Sequence, residues 1–551
     1  MHPHNSRINA VLFDLPGANC HIMTTECSKA PLLERMRAAV VAHDIAKIER
    51  RLHTSRHNTM DLVYILAHLA VICPSLPVLT FLLENDRFNV DIHRHLSTSG
   101  VTMLHFAAAH GHMAIVKYLV AKGANINQLD TYGGNAFHCA AARGTQEAVE
   151  YFVSLGVDVN QPDNLGETAL HKALEHTNVI DYLVQCEGIE IDAVDNDGDT
   201  ALHSAATHGL DSAGESLIKG GANVHLRNQT DNSTPLHCAV CEEHESFVAL
   251  LVKHNADINA LGSTDSDGIH WTALCMAIRD ANLSMVRRLV QLGADVNRAN
   301  SVGEMPLHLA TWFSDVSTLR FLIDHGADPN LRDADGATPL HCAALKNSET
   351  RTSFFLNLNI DIDAQTNIGD TPLHFAAENY GCVAALLMEH GASVHICNER
   401  GDTPLHNAAH AGHVDAAAKL FKHGAEIDVC NKCGSTPLHV ACWDGAVDMI
   451  TFLVKNGASV LRRNPIDGCL PLDDAIANEQ FEAVQLVSNI MRALEHDRLL
   501  SIALLLRPLN LPVLVTNSVY RCLPPTQFAN CLVTWFDGWN VLKKIKQLET
   551  V

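Results

Sequence analysis

One phrase returns along most of the chain and constrains how the chain can fold. Its clearest copy is Thr371–Ala377 (TPLHFAA), and close copies begin at Thr338, Thr403 and Thr436. The threonine can cap free backbone N–H groups at a helix start, and the proline suits the first helical position. Successive copies are 33, 32 and 33 residues apart, and a fixed period of this length predicts an array of stacked repeats.

The phrase can be followed through twelve units from residue 102 onward. The position before its histidine is leucine in every unit except one, and the position two after it is alanine in all twelve. A second signature, as in Gly326–Asn330, follows about twenty residues later. Its glycine is predicted to end a second helix in a left-handed conformation. The histidine position is occupied by His105, His138, His171, His203, His237, Cys275, His308, His341, His374, His406, His439 and Asp473.

With these two signatures the sequence resembles the ankyrin-repeat family over roughly residues 30–490. The resemblance implies a mostly α fold, an ankyrin-repeat α-solenoid in which helix-turn-helix units alternate with β-turn fingers, and each unit needs its neighbours to bury its apolar face. We count twelve regular repeats and two atypical ones in front of them. The expected divisions are a flexible tail over 1–28, atypical or capping repeats over 29–95, the regular array over 96–490, and a small helical cap or docking segment over 491–551.

Three stretches depart from the regular pattern. A step of 38 residues instead of 33 predicts an enlarged finger at Leu261–Trp271, and Ser348–Leu358 lacks the usual second-helix sequence, which predicts looser packing. Tyr64–Leu83 carries no formal charge over twenty residues, a length that could span a bilayer. Pro74 and Pro77 instead indicate two short helices joined by a turn, so no membrane insertion is expected.

The composition of the chain argues against several classes of function. The net charge of −23 argues against a nucleic-acid partner, which would need a basic face. Seventeen scattered cysteines indicate free thiols in a reducing compartment, because a disulfide framework belongs to small secreted domains. No signal peptide is evident, so a cytoplasmic location is expected, with the nucleus as the alternative. Phosphate-loop, nucleophile-elbow and metalloprotease motifs are missing from the sequence, so we predict neither an enzyme nor a cofactor.

Residues with metal-binding chemistry have structural explanations in the repeat register. Ten of the thirty-four histidines occupy one repeat position, where the imidazole is expected to hydrogen-bond an adjacent loop. The Cys-x-x-Cys strings in Cys238–His244 and Cys430–Cys442 could supply zinc ligands, but four ligands must converge, and both strings follow the repeat pattern. No metal site is predicted. In the ankyrin family, asparagines that end a finger can be hydroxylated. Turn geometry and hydroxylation are the two explanations for the asparagines at this position: Asn127, Asn259, Asn297 and Asn330.

The family resemblance implies that a protein partner lies along the concave face. There, the residues four and five positions after the histidine vary from unit to unit. Aromatic and arginine side chains dominate interface hot spots, although a tryptophan can instead cover a gap in an imperfect unit. The predicted partner-binding residues are Trp271, Arg279, Trp312, Phe313, Trp443 and Asp444.

Three functional hypotheses follow. The first is a non-enzymatic scaffold or adaptor that binds a protein partner. The second is a substrate-recognition subunit of a cullin-type ubiquitin ligase, with ubiquitin-ligase components as partners, because Leu523–Leu532 resembles the last part of an adaptor-binding box. The accompanying pattern of a leucine four residues before a cysteine fails at Cys522 and Cys531. The third is the cytosolic arm of a membrane protein.

Overall fold

The computed structural model of the 551-residue chain describes residues 30–54, 59–95, 99–379 and 381–506. The predicted tail over 1–28 and the segment over 507–551, with its resemblance to an adaptor-binding box, lie outside the described residues. The chain divides into two compact units. The first contains residues up to Ala277 together with Ser284–Ala294, and the second contains Ile278–Leu283 together with the residues from Asp295 onward.

The first unit consists of paired short helices and one β-hairpin. Its helices are α1 (Ala30–Val41), α2 (Ile45–Thr54), α3 (Thr59–Ile72), α4 (Leu76–Glu84), α5 (Met103–Ala109), α6 (Met113–Ala121), α7 (Ala136–Ala142), α8 (Gln146–Ser154), α9 (Ala169–Lys172), α10 (Thr177–Leu183), α11 (Ala201–Thr207), α12 (Asp211–Gly220), α13 (Pro235–Cys241) and α14 (Glu245–Lys253). The hairpin strands are β1 (Leu261–Thr264) and β2 (His270–Thr272).

Two helices, α15 (Ala273–Arg279) and α16 (Leu283–Gln291), each contain residues assigned to both units. The second unit continues with the same helix pairs and ends in a longer helix. Its helices are α17 (Pro306–Phe313), α18 (Val316–Asp324), α19 (Pro339–Leu345), α20 (Glu349–Leu356), α21 (Pro372–Ala377), α22 (Cys382–Glu389), α23 (Pro404–Ala411), α24 (Val414–Lys422), α25 (Pro437–Asp444), α26 (Val447–Lys455), α27 (Pro471–Ala477) and α28 (Phe481–Leu506).

Within the second unit, the first helix of each repeat packs on the first helix of the next repeat, and the second helix packs on the next second helix. In the second unit each first helix contacts the first helix of the following repeat, from α17 through α19, α21, α23 and α25 to α27. The second helices form a parallel row behind them, from α18 to α28. Leu373, Ala376 and Ala377 are fully buried in the first row, as are Val383 and Leu387 in the second. The core is therefore a continuous layer between the two rows, and the expected ankyrin-repeat fold is confirmed.

The repeated phrase forms the helix starts as predicted. Thr371 is in an extended conformation at the N-cap of α21, and Pro372 is the first helical residue. The backbone N–H of Thr371 donates to Nδ1 of His374 at 3.0 Å, so the histidine takes the place that glutamate has in an ordinary capping box. At the other end of the repeat, Gly391 and Gly424 have φ values of 95° and 94°, the left-handed conformation expected after the second helix.

The departures from the repeat pattern have defined structures. The uncharged run at Tyr64–Leu83 lies in two helices, α3 and α4, with a turn between them, as predicted. Among the described residues no helix combines the length and the apolar character needed to cross a membrane. The segment Ser348–Leu358 forms the second helix α20 and buries Phe355 completely. Thr352, three residues before Phe355 in the same helix, is also buried, and its hydroxyl has no hydrogen-bond partner among the described residues.

The last described helix continues past residue 490, where the regular array is expected to end. α28 continues for 26 residues from Phe481, more than twice the length of the other second helices in this unit, and its N-terminal part packs on α26 and α27. α28 ends at Leu506, within the segment over 491–551 for which a small helical cap or docking segment is expected.

Candidate partner-binding surface

The recurring histidines connect each repeat to the next. Nε2 of His341 lies 3.1 Å from the carbonyl oxygen of Asp370, the residue before the next N-cap. On its other side, Nδ1 of His341 accepts from the backbone N–H of Thr338 at 3.0 Å. These partners define a neutral imidazole with its proton on Nε2. The predicted role of the histidines, hydrogen bonding to an adjacent loop, is confirmed.

Burial keeps these imidazoles uncharged. Desolvation lowers the pKa of His237 and of His341 to about 4, although hydrogen bonds from each ring to backbone carbonyls oppose the shift. Burial also raises the pKa of the Cys139 and Cys342 thiols to about 12. A protonated thiol is a poor nucleophile and a poor metal ligand. These side chains therefore serve the packing of the array.

The two Cys-x-x-Cys strings are described throughout their lengths. Across the described ranges, no three histidine, cysteine or acidic side chains converge in a way that could hold a metal ion. Cys238 lies within α13, and burial raises the pKa of its thiol well above the ordinary value. Cys433 is exposed in a finger turn.

Two of the asparagines that end fingers bridge neighbouring repeats. The side chain of Asn297 donates to the carbonyl of Gly326 at 3.0 Å and accepts from the backbone N–H of Asp328 at 3.0 Å. Asn330 makes the same pair of contacts with Asn359 and Asp361 at 3.3 and 3.2 Å. The carboxamide at this position thus uses both its donor and its acceptor to fix the next finger.

The enlarged finger is an antiparallel hairpin whose tryptophan points inward. Trp271 pairs with Gly262 across β1 and β2 and is only 4% exposed. Its indole N–H donates to a carboxylate oxygen of Asp265 at 3.0 Å, and its carbonyl is 3.2 Å from Nε2 of His237. A Cβ atom on Gly262 would lie 2.6 Å from the His237 ring, so glycine permits this close approach. Trp271 therefore stabilises the finger.

The other predicted partner-binding residues lie at the positions four and five after the histidine. We call these positions the inner row. On helices α17 to α25 of the second unit the inner row consists of Trp312, Phe313, Leu345, Lys346, Glu378, Asn379, His410, Ala411, Trp443 and Asp444.

Contacts between successive repeats make the inner row a continuous surface. Lys346 donates to the Trp312 carbonyl, and its ammonium lies 5.7 Å from the centre of the Trp312 ring. The amide of Asn379 donates to the carbonyl of Leu345 at 3.3 Å. Nδ1 of His410 is 2.7 Å from a carboxylate oxygen of Asp444. Between these pairs, the amide of Asn407 on α23 donates to a carboxylate oxygen of Glu378 at 3.0 Å. Contacts therefore link all five repeats from α17 to α25.

Large apolar side chains on the inner row remain in solvent. Phe313 is 52% exposed, Leu345 42% and Trp443 49%, whereas Trp312 is half-buried beside Lys346. Single exposed apolar side chains need no explanation, but several of them along one row make that row the candidate binding surface. Leu345 does not stand out in the sequence because leucine is common on both faces of these helices.

The inner-row positions also carry charged side chains. Desolvation and then the nearby Asp370 carboxylate raise the pKa of Glu378, and its hydrogen-bond partner is the Asn407 amide at 3.0 Å. Arg279, the remaining predicted residue, is half-buried on α15, with its Nε 3.4 Å from a carboxylate oxygen of Asp280. The structure thus places Trp312, Phe313, Trp443 and Asp444 on one surface of the second unit.

Comparison with known proteins identifies the family. The family model for ankyrin repeats matches residues 67–163, 155–228, 175–262, 210–300, 261–333, 307–397, 380–464 and 426–493, which together span 67–493. The chain belongs to the ankyrin-repeat family. Members of this family are generally non-enzymatic interaction modules, so membership supports a role in protein–protein interaction.

Several proteins are similar to this chain over short stretches. Mouse (Mus musculus) ankyrin repeat and SOCS box protein 6 is 38% identical over 109 residues, 19% of this chain and 25% of the relative. The nuclear factor NF-kappa-B p105 subunit of Gallus gallus is 34% identical over 97 residues, 17% of this chain and 10% of that protein. Mouse protein phosphatase 1 regulatory subunit 27 is 39% identical over 74 residues, 13% of this chain and 45% of the relative. In each case the chain spans less than half the length of its relative.

Proposed function

We propose that this protein is a non-enzymatic scaffold or adaptor that binds a protein partner along the inner row of the second unit. The observation that carries the proposal is the continuous row of helix-borne side chains from Phe313 to Trp443. Three large apolar members of the row are exposed, and the contacts between repeats hold their helices in register. Aromatic residues on such a rigid surface are the usual source of binding energy at interfaces.

The proposal is tested by labelling proteins near the full-length chain in cells and comparing variants. Trp443→Ala and Phe313→Ala should each lose a shared set of labelled proteins, because each removes an exposed aromatic anchor. Phe421→Ala is the matched control, since Phe421 is also exposed but lies on the second helix α24. A set of labelled proteins that is unchanged in both inner-row variants would place the binding surface elsewhere.

A second candidate function is that of a substrate-recognition subunit of a cullin-type ubiquitin ligase. What favours it is the similarity to ankyrin repeat and SOCS box protein 6, which covers a quarter of that relative, together with the box-like segment at Leu523–Leu532. Affinity purification of the full chain and of a chain ending at Leu506 discriminates between the two functions. Cullin and adaptor recovered with the full chain alone would support the ligase function, and their absence from both would exclude it.

A further inference from the structure

The inner row of the second unit has apolar side chains at its two ends and a carboxylate between them. Phe313 and Leu345 lie at one end, and Trp443 lies at the other, four repeats from Phe313. Glu378 occupies the repeat midway between Phe313 and Trp443, and it is exposed. The helices that carry these residues pack directly on one another from α17 to α25. The distances between anchors are therefore set by helix packing.

The packing distance gives the length of a ligand that reaches both ends. Neighbouring packed helices lie about 8–10 Å apart, so four steps from α17 to α25 cover roughly 32–40 Å. An extended chain advances about 3.3 Å per residue, so roughly ten to twelve residues of extended peptide span the row. Glu378 falls two steps from either end, which corresponds to about five or six residues from each anchor.

The charge at the centre of the row favours a cationic ligand residue. Among the described residues, the hydrogen-bond partner of the Glu378 carboxylate is the Asn407 amide, which brings no positive charge. His410 acts on Glu378 as an opposite charge, but its ring nitrogen already lies 2.7 Å from an Asp444 carboxylate oxygen. The Asp370 carboxylate lies nearby and acts on Glu378 as a like charge. Lys346, the cation in the preceding repeat, already contacts the carbonyl and ring of Trp312. A lysine or arginine from a ligand would pair with Glu378 and relieve the repulsion from Asp370.

We infer that the inner row binds an extended segment of a partner protein, with two large apolar residues about ten to twelve positions apart and a lysine or arginine near the middle. This inference rests on the proposed function and adds the chemistry of the partner. The segment's apolar residues contact Phe313 and Leu345 at one end and Trp443 at the other. Its central cation pairs with Glu378.

Selection from a random peptide library displayed on phage, with the full-length chain as bait, tests the inference. Enriched peptides should carry two aromatic or large aliphatic residues at the stated spacing and a basic residue between them. Binding of a fluorescent copy of an enriched peptide should weaken at least about tenfold in Phe313→Ala and in Trp443→Ala, the loss expected of a hot-spot residue. Phe421→Ala should bind normally, and thermal unfolding of each variant verifies that the array is folded.

The central charge has its own test. Glu378→Gln should weaken the peptide about three- to tenfold, whereas Glu426→Gln, at an exposed glutamate away from the row, should not. Replacing the peptide's basic residue by glutamine should remove the sensitivity to Glu378→Gln. If no peptide is enriched, or if enriched peptides bind Phe313→Ala and Trp443→Ala normally, the extended-segment inference is wrong. If cellular partners still depended on Phe313 and Trp443, the proposed function would stand. The partner would then present a folded surface to the inner row and not an extended segment.

Discussion

Nε2 of His341 and the carbonyl oxygen of Asp370 lie 3.1 Å apart, and this hydrogen bond joins one repeat to the N-terminus of the next first helix. Equivalent bonds join His374 to Asp402 at 3.0 Å and His406 to Ser435 at 3.1 Å. The histidine also completes the helix cap of its own repeat. One side chain therefore stabilises both the helix start within a repeat and the contact with the next repeat.

Removing one of these histidines should destabilise the array. His341→Ala leaves the Thr338 N–H without a partner and leaves the Asp370 carbonyl with the Thr366 N–H alone. A buried polar group left unsatisfied costs about 1–3 kcal/mol. Urea unfolding followed by circular dichroism should show a loss in that range. His390→Ala is the matched control in the same unit, since His390 is exposed and its ring nitrogen lies 2.9 Å from the Leu386 carbonyl oxygen of its own repeat. Equal losses in both variants would contradict the assigned role.

The buried histidines should make the protein sensitive to acid. Their pKa is lowered by burial, to about 4 for His237 and His341 against an ordinary value of 6.5, so the unfolded chain takes up protons first as the pH falls. The stabilisation is complete above pH 6.5 and is lost as the pH falls towards 4. The melting temperature should fall across this interval, and less steeply in His341→Gln, which has one fewer titrating group. A pH-independent melting temperature would disprove this linkage.

Trp271 should matter for stability and not directly for binding. Replacing a buried aromatic side chain by alanine costs about 3–5 kcal/mol, and Trp271→Ala also removes the indole donor to Asp265. We expect its unfolding midpoint to fall much more than that of Trp443→Ala, whose side chain is half exposed. Thermal unfolding of the two variants side by side provides the comparison, and similar midpoints would show that the finger does not depend on this side chain.

Glycines in the finger turns should tolerate alanine less well than glycines at the helix ends. Gly424 and Gly434 both have positive φ, 94° and 82°, and alanine in that conformation costs about 1–2 kcal/mol. A Cβ at Gly434 would also lie 2.0 Å from the side-chain oxygen of Asn464, whereas nothing lies within 4 Å at Gly424. Gly434→Ala should therefore be the less stable variant in urea unfolding. The reverse order would mean that the turn relaxes freely.

Much of the architecture is predictable from the sequence because the repeat ties local signals to one packing scheme. The Thr–Pro–Leu–His phrase specifies the cap, the first helix and the bond to the next repeat. The inward orientation of Trp271 is not predictable in this way, since it depends on the pairing with Gly262 and on the position of Asp265. The sequence also marks Trp443 but not Leu345, because exposure of a leucine depends on which neighbours cover it.

The most direct measurement of the central claim is the affinity of the full chain for a library-selected peptide or a labelled cellular partner, compared between Trp443→Ala and Phe421→Ala. Both variants remove an exposed aromatic side chain from the second unit, and only Trp443 belongs to the inner row. We predict a loss of at least about tenfold, or 1.4 kcal/mol, for Trp443→Ala and unchanged affinity for Phe421→Ala. Equal affinities in a folded Trp443→Ala variant and the unaltered chain would contradict the claim that the inner row binds the partner.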